Sequence, residues 1–495
     1  MRVAIVGAGF SGIAMAIACK REGIEFELYE RAEELGGVWH ANTYPGATCD
    51  VPSYLYSYSF AQRRDWSQPC SPQQEILDYL RATAAEYGVD GRVRHGCEIV
   101  RADFDSEQAN WRLESSSGEV FMADALVLAC GQLSRPAWPS IPGRSQFAGH
   151  SFHSAEWDHS YELAGKRVAV IGTGASAIQF VPPVAERVER MDVYQRTAPY
   201  MLPRRNPRYR PWVRALIARV PGVQALRRLS MWLVMETFIT GLTRFPPLGW
   251  ALRGWSTAFM RLQVSEKHLR GQIRPNYPFG CKRILFSSSY LPALQRPNVE
   301  LVSDSIARIS ERGVVSADGR EREVDCIIYG TGFKANEFVL PLEVGGVGGQ
   351  TLQQRWVDGA EAHLGITVSG FPSMFLLYGP NTNLGVGSII AMIEAQVGYV
   401  ADALRLTRRL GASALDVRPE VQAASGELLQ QRLRGSVWTA CQSWYRTESG
   451  RVTNNWPGYM IEYVRATREV RPMEYTPVHA APVDAAPVDA GGPGA

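Results

Sequence analysis

The sequence predicts an α/β protein built on two Rossmann-like dinucleotide-binding domains. Three observations predict it. A buried-strand pattern, VAIV from Val3, runs into a glycine-rich turn and an apolar helical stretch, and a second strand, EFELYE, follows. The same order recurs over 166–197. The chain is 495 residues long, with 45% hydrophobic and 20% charged side chains, which suits a soluble globular protein of two or three domains.

Each part of the first unit has a physical task. Gly7 permits the tight turn after the strand, Gly9 lets the backbone approach a pyrophosphate, and Gly12 lets the helix pack close to the strand. The helix N-terminus then offers N–H groups and a positive dipole to the phosphates. Glu30 ends the second strand, where a carboxylate accepts hydrogen bonds from ribose hydroxyls. In the second unit Gly172, Gly174 and Ala177 take the three small-residue positions. Aligning Gly7 with Gly172 sets Gln195 opposite Glu30, with Arg196 beside it. A carboxylate repels a 2′-phosphate and a guanidinium binds one, so the first site is expected to take FAD and the second NADPH. Two redox cofactors in one chain imply electron transfer from nicotinamide to flavin.

Composition excludes several alternatives. The net charge of +3 gives no general case for nucleic acid. The eight cysteines are scattered, without CxxC or a metal-type spacing. No metal is therefore expected, nor the redox cysteine pair of a disulfide reductase, and a reducing cytoplasm fits best. A strand pattern that opens at Val3 leaves no signal peptide to expect, and no uncharged apolar run reaches the roughly 18 residues of a membrane span.

Between the two glycine motifs lies FAGHSFHSAEWD, residues 147–158, crowded with aromatics where loops are usually small and polar. Phe147, Gly149, His153, Trp157 and Asp158 match the pattern FxGxxxHxxxW followed by Pro or Asp. With GGVWHANTYPGATCDVPSYLYSYSF, PFGCKRILFSSSYLPALQRPNVELV, DCIIYGTGF and GPNTNLGVGSI, the chain resembles the class B flavoprotein monooxygenases over roughly residues 1–465. Within them it resembles the type I Baeyer–Villiger monooxygenases, near the 4-hydroxyacetophenone monooxygenase branch. The resemblance implies that the 147–158 stretch serves cofactor-domain movement, although the aromatics and His153 also read as packed interior residues.

The resemblance further implies a reaction. NADPH reduces FAD, the reduced flavin adds O2 as a C4a-peroxyflavin, and the peroxide attacks a ketone or aldehyde carbonyl to give an ester or lactone. Arg283 matches the family's active-site arginine and Asp50 the aspartate that faces it. Lys282 matches the lysine that contacts the NADPH 2′-phosphate, acting with Arg196. Gly36, Gly37 and Trp39 fall on the FAD side, and Val386 stands where many relatives have His. An N- or S-oxygenating flavin monooxygenase is the nearest alternative, and a non-oxygenating FAD protein the next.

The resemblance sets the domains: 1–150 with 331–475 for FAD, and 151–330 for NADPH, inserted in the first. Within the insert, about 204–270, residues 204–262 hold eleven arginines against one acid, Glu236, interleaved with four tryptophans. Phe245–Pro246–Pro247 is expected to split this stretch into two helical pieces that cap the substrate pocket. Its cationic and aromatic composition also fits peripheral contact with an anionic membrane. Residues 476–495, rich in Ala, Pro and Gly, read as a disordered tail. The sequence does not specify the oligomeric state.

Overall fold

A computed structural model describes residues 1–220 and 222–481. Strand β1 (Arg2–Val6) leads through the glycine turn into helix α1 (Phe10–Arg21) and back into β2 (Glu25–Tyr29), parallel to β1 with Arg2 opposite Glu25 and Val6 opposite Tyr29. Nine of the twelve residues of α1 are buried, so the helix is apolar nearly all round. It lies between the parallel sheet and the helix Ile389–Arg409 from the C-terminal third. The sheet has five strands, in the order Met374–Leu376, Ala125–Leu128, β1, β2, Val93–Arg94. A strand from after residue 331 thus completes a sheet begun at residue 2.

The second parallel sheet repeats the plan. Arg167–Ile171 pairs with Arg190–Tyr194, and helix α2 (Ala177–Ala185) crosses between them. Val299–Val302 lies outside on one flank, and Cys326–Tyr329 then His150–His153 on the other. The aromatic stretch is therefore an edge strand of this sheet as well as a connector, with Cys326 opposite His150 and Tyr329 opposite His153.

Three helices follow the second βαβ unit: α3 (Pro211–Arg219), α4 (Val223–Thr243) and α5 (Pro246–Gln263). The break at Pro246 falls where expected, but a second break near Gly222, whose φ of +82° ends the helical path, makes three helices rather than two pieces. Among the described residues no helix is long and apolar enough to cross a membrane.

One further expectation is corrected. Residues 476–478 are not tail: Tyr475–Val478 pairs antiparallel with Ala414–Val417, the Tyr475 side chain is buried, and its hydroxyl meets those of Tyr399 and Thr367. That single aromatic anchor gives the segment apolar area that Ala and Pro lack. The rest of the tail, 482–495, lies outside the described residues. Two of the scattered cysteines are also paired. Cys281 and Cys441 form a disulfide across 160 residues of sequence, with Cα atoms 6.1 Å apart. Spacing rules detect local pairs and are blind to one assembled by the fold.

Candidate active site

The two glycine turns differ in how tightly they are held. A Cβ on Gly7 would stand 2.6 Å from the Ala129 carbonyl oxygen, and one on Gly12 only 1.8 Å from that of Gly7. A Cβ on Gly9 would meet nothing nearer than the Gly37 Cα at 3.6 Å, so this face of the turn is open. No side chain caps the start of α1, which leaves its first N–H groups for an anion. Gly37, at φ +55°, backs onto Gly9. The Glu30 carboxylate is 7% exposed and accepts the N–H of Ala8 at 2.7 Å and that of Ala32 at 3.0 Å, which fixes it beside the turn. Trp39 is partly buried and donates its indole N–H to the Tyr56 hydroxyl at 3.1 Å, its ring edge-on to Tyr56, so it packs within an aromatic group. This open, uncapped cradle beside a fixed carboxylate fits the adenosine and pyrophosphate of FAD.

The second turn is looser at its centre. A Cβ on Gly172, at φ +113°, would lie 2.3 Å from the Gly330 carbonyl oxygen, while one on Gly174 would meet nothing within 4 Å. The Ala177 methyl occupies the space beside Gly330. Arg196 is exposed at the end of its strand, and Gln195 is buried, donating to the Gln272 carbonyl at 3.0 Å. Burial lowers the Lys282 pKa, and Arg196 nearby lowers it further. Lys282 also lies over the Tyr277 ring, 4.9 Å from its centroid. Two cations this close, neither with a carboxylate partner among the described residues, fit a phosphate between them. Replacing both Arg196 and Lys282 with Ala is expected to raise KM for NADPH roughly 10- to 100-fold and leave that for NADH unchanged, as steady-state kinetics with the two nucleotides would show.

Asp50 and Arg283, 233 residues apart, are brought together. The guanidinium donates to the carboxylate at 2.6 Å, and both side chains are partly buried. Burial alone would raise the Asp50 pKa; the charge and hydrogen bond of Arg283, with Arg204 beyond, outweigh it and hold the carboxyl below its usual range. Asp50 in turn holds the Arg283 pKa well above the ordinary arginine value. The pair joins the two nucleotide-binding parts. The segment carrying Asp50 docks on α2 through Gln179, whose side-chain amide donates to Thr48 O at 3.1 Å and accepts from Thr48 N at 3.0 Å. The disulfide adds a second tie: Cys281, two residues before Arg283, is bonded to the C-terminal third.

The fingerprint residues lie apart from this pair. Phe147 packs over Gly149, where a Cβ would come 2.5 Å from its ring. Trp157 is 9% exposed and packs edge-on to Phe152 and against Phe180 of α2. His153 is fully buried; its Nδ1 accepts the N–H of Ala155 at 3.1 Å, and burial lowers its pKa to about 4. It is therefore neutral at pH 7. Asp158 accepts from Ser160 and pairs with His150 at 2.9 Å.

Sequence reading missed the aromatic surroundings of the cation. Tyr378 and Tyr445 are close enough to Arg283 to feel its charge, yet burial prevails and pushes the Tyr445 phenol up to about 12. The Tyr445 hydroxyl is buried without a hydrogen-bond partner, and that of Tyr378 donates to Asn383 at 2.8 Å. Val386 sits in an apolar cluster with Tyr200, Ile239, Leu242, Phe279 and Ile284. No local pattern marks the tyrosines; only the NTN and TNN segments, whose Asn383 and Asn455 side chains bond each other at 2.7 Å, hint at a built polar region.

Comparison with known proteins identifies the family. A family model described as "Flavin-binding monooxygenase-like" matches residues 1–238. A Baeyer-Villiger monooxygenase of Streptomyces coelicolor is 42% identical over 96% of this chain and 92% of its own. Another from Pseudomonas aeruginosa is 41% identical over 96% and 91%. Among solved structures, an oxidised steroid monooxygenase bound to NADP aligns with a TM-score of 0.85 at 29% identity, covering 97% of this chain and 99% of that one. The cyclohexanone monooxygenase of Rhodococcus sp. Phi1 bound to NADP+ aligns at 0.85 and 26% identity, covering 94% and 96%. The chain belongs to the Baeyer–Villiger monooxygenase family of flavoproteins.

Proposed function

We propose that the protein uses FAD and NADPH to insert one atom of O2 beside the carbonyl of a ketone or aldehyde, giving an ester or lactone. In balance, substrate, O2, NADPH and a proton yield the ester, NADP+ and water. When bound, the two cofactors supply hydride transfer and oxygen activation. The chain supplies binding, orientation and electrostatics. The Glu30 side holds the unphosphorylated ribose, and the Arg196–Lys282 pair holds the phosphorylated one. Arg283 places a fixed positive charge where negative charge develops on oxygen, and its planar donors suit that task better than an ammonium. Asp50 orients the guanidinium. The buried tyrosines and the Val386 cluster exclude water, which strengthens the field of the cation.

The observation that carries this reading is the Asp50–Arg283 pair, held at 2.6 Å where the two nucleotide-binding domains meet. The experiment is a panel of ketones and aldehydes with isotopic O2 and NADPH, its products read by mass spectrometry. Esters or lactones carrying one labelled oxygen are expected. Labelled N-oxides or sulfoxides from amines and thioethers, with no ester, would reject it.

A further inference from the structure

Helices α3, α4 and α5 turn apolar side chains outward. Of the 22 large apolar residues exposed among the described ones, eleven lie between Trp212 and Leu262. On α4, Leu226, Leu229 and Leu233 are 68%, 54% and 57% exposed, at a spacing that lines one helix face. Trp250 of α5 is 70% exposed and Leu262 86%. A helix packed on a soluble domain turns such a stripe inward, and a contiguous exposed one marks a binding surface. The inward duties are filled by other residues: Arg228 donates to the Tyr54 carbonyl at 2.6 Å, and Ile239 and Leu242 are buried against Phe279 and Ile284.

The charge around this surface selects its partner. Ion pairs of α3–α5 use Arg214, Arg228 and Arg244. Arg205, Arg208, Arg210, Arg219, Arg253 and Arg261 are exposed and have no acidic partner among the described residues. A second copy of this chain docking here would set these arginines against their own kind, with Glu236, the one acid of the stretch, turned to the Trp232 and Ile461 N–H groups. An anionic phospholipid surface offers both complements at once: headgroup charge for the arginines and the acyl boundary for Leu and Trp. We propose that α3–α5 form a peripheral docking face for anionic membranes, which would place the protein where apolar ketones partition.

The test is flotation of the full-length FAD-loaded protein with phosphatidylglycerol-containing vesicles and with phosphatidylcholine-only vesicles, at low and high salt. At low salt, roughly ten-fold more protein is expected on the anionic vesicles, with release by high salt. The variant Leu226→Ser/Leu229→Ser/Leu233→Ser is expected to lose most of that fraction while oxidising a water-soluble ketone normally, which excludes misfolding. No flotation, or equal flotation on both vesicles, would overturn the proposal. So would a protein that elutes as a dimer, turns monomeric in the leucine variant and ignores vesicles. Retention on duplex DNA that survives the leucine changes, without vesicle binding, would reassign the arginines to nucleic acid.

Discussion

Arg283→Ala is expected to lower ester formation about 10²–10³-fold while FAD stays bound. The guanidinium is partly buried and is the cation that donates to Asp50 at 2.6 Å, whereas Arg204 acts on that carboxylate only through its charge. A preorganised charge in a dry site contributes far more than in water, because nothing must reorient as negative charge develops. FAD should be retained, since the glycine turn and Glu30 lie on the first domain and none of their contacts uses Arg283. NADPH consumption should continue with its electrons leaving as hydrogen peroxide, so the ratio of ester to NADPH consumed is the measurement. Arg283→Lys should recover little, because an ammonium lacks the planar fork that Asp50 orients. The pH behaviour follows from the carboxylate. The folded pKa of Asp50 is depressed, so the pair's contribution to stability is complete above the ordinary carboxylate pKa and disappears as pH falls through the lower folded value. The ion pair is therefore intact at neutral pH. Ester formation by Arg283→Ala at the parental rate would remove the cation from the mechanism.

Gly12→Ala is expected to give a protein that is colourless or does not fold. The new methyl would stand 1.8 Å from the Gly7 carbonyl oxygen and 3.1 Å from Leu28. The first is backbone in the turn itself, so relief requires α1 to move off the sheet. Overpacking of this kind costs about 1–3 kcal/mol when flexible side chains yield, and more here because backbone must. Total stabilities are only about 5–15 kcal/mol. The ratio of flavin to protein absorbance, with the melting temperature, reads both effects. Gly174→Ala is the control: its Cβ meets nothing within 4 Å, and its φ lies outside the left-handed region. That variant should fold, stay yellow and show only a raised KM for NADPH. Normal flavin content in Gly12→Ala would show that the helix start adapts.

Legibility in the sequence followed the range of the interaction. The glycine turns, Glu30 and Arg196 are local: a strand, a turn of defined backbone shape and a helix write their requirements into about thirty consecutive residues. The Asp50–Arg283 pair was placed only by resemblance, because nothing in either neighbourhood encodes a partner 233 positions away. The Cys281–Cys441 bond and the tyrosines around Arg283 left no local trace at all, being products of tertiary assembly. The insert composition suggested helices, but which face of α4 looks outward depends on what packs beneath it, and periodicity gives a stripe without a direction. The tail boundary expected at 476 came too early, since Tyr475, just before the low-complexity run, suffices to dock the residues that follow it.

Arg283 and Cys281 sit on the inserted part of the chain, while Asp50 and Cys441 belong to the part that surrounds it. Neither part therefore holds both members of either link. A chimera that grafts the inserted module of one relative onto the host module of another would inherit nucleotide choice and reactive charge together, as one package. The host would contribute the counter-ion and the sulfur anchor, so such hybrids must keep Asp50 and Cys441 in register with the insert.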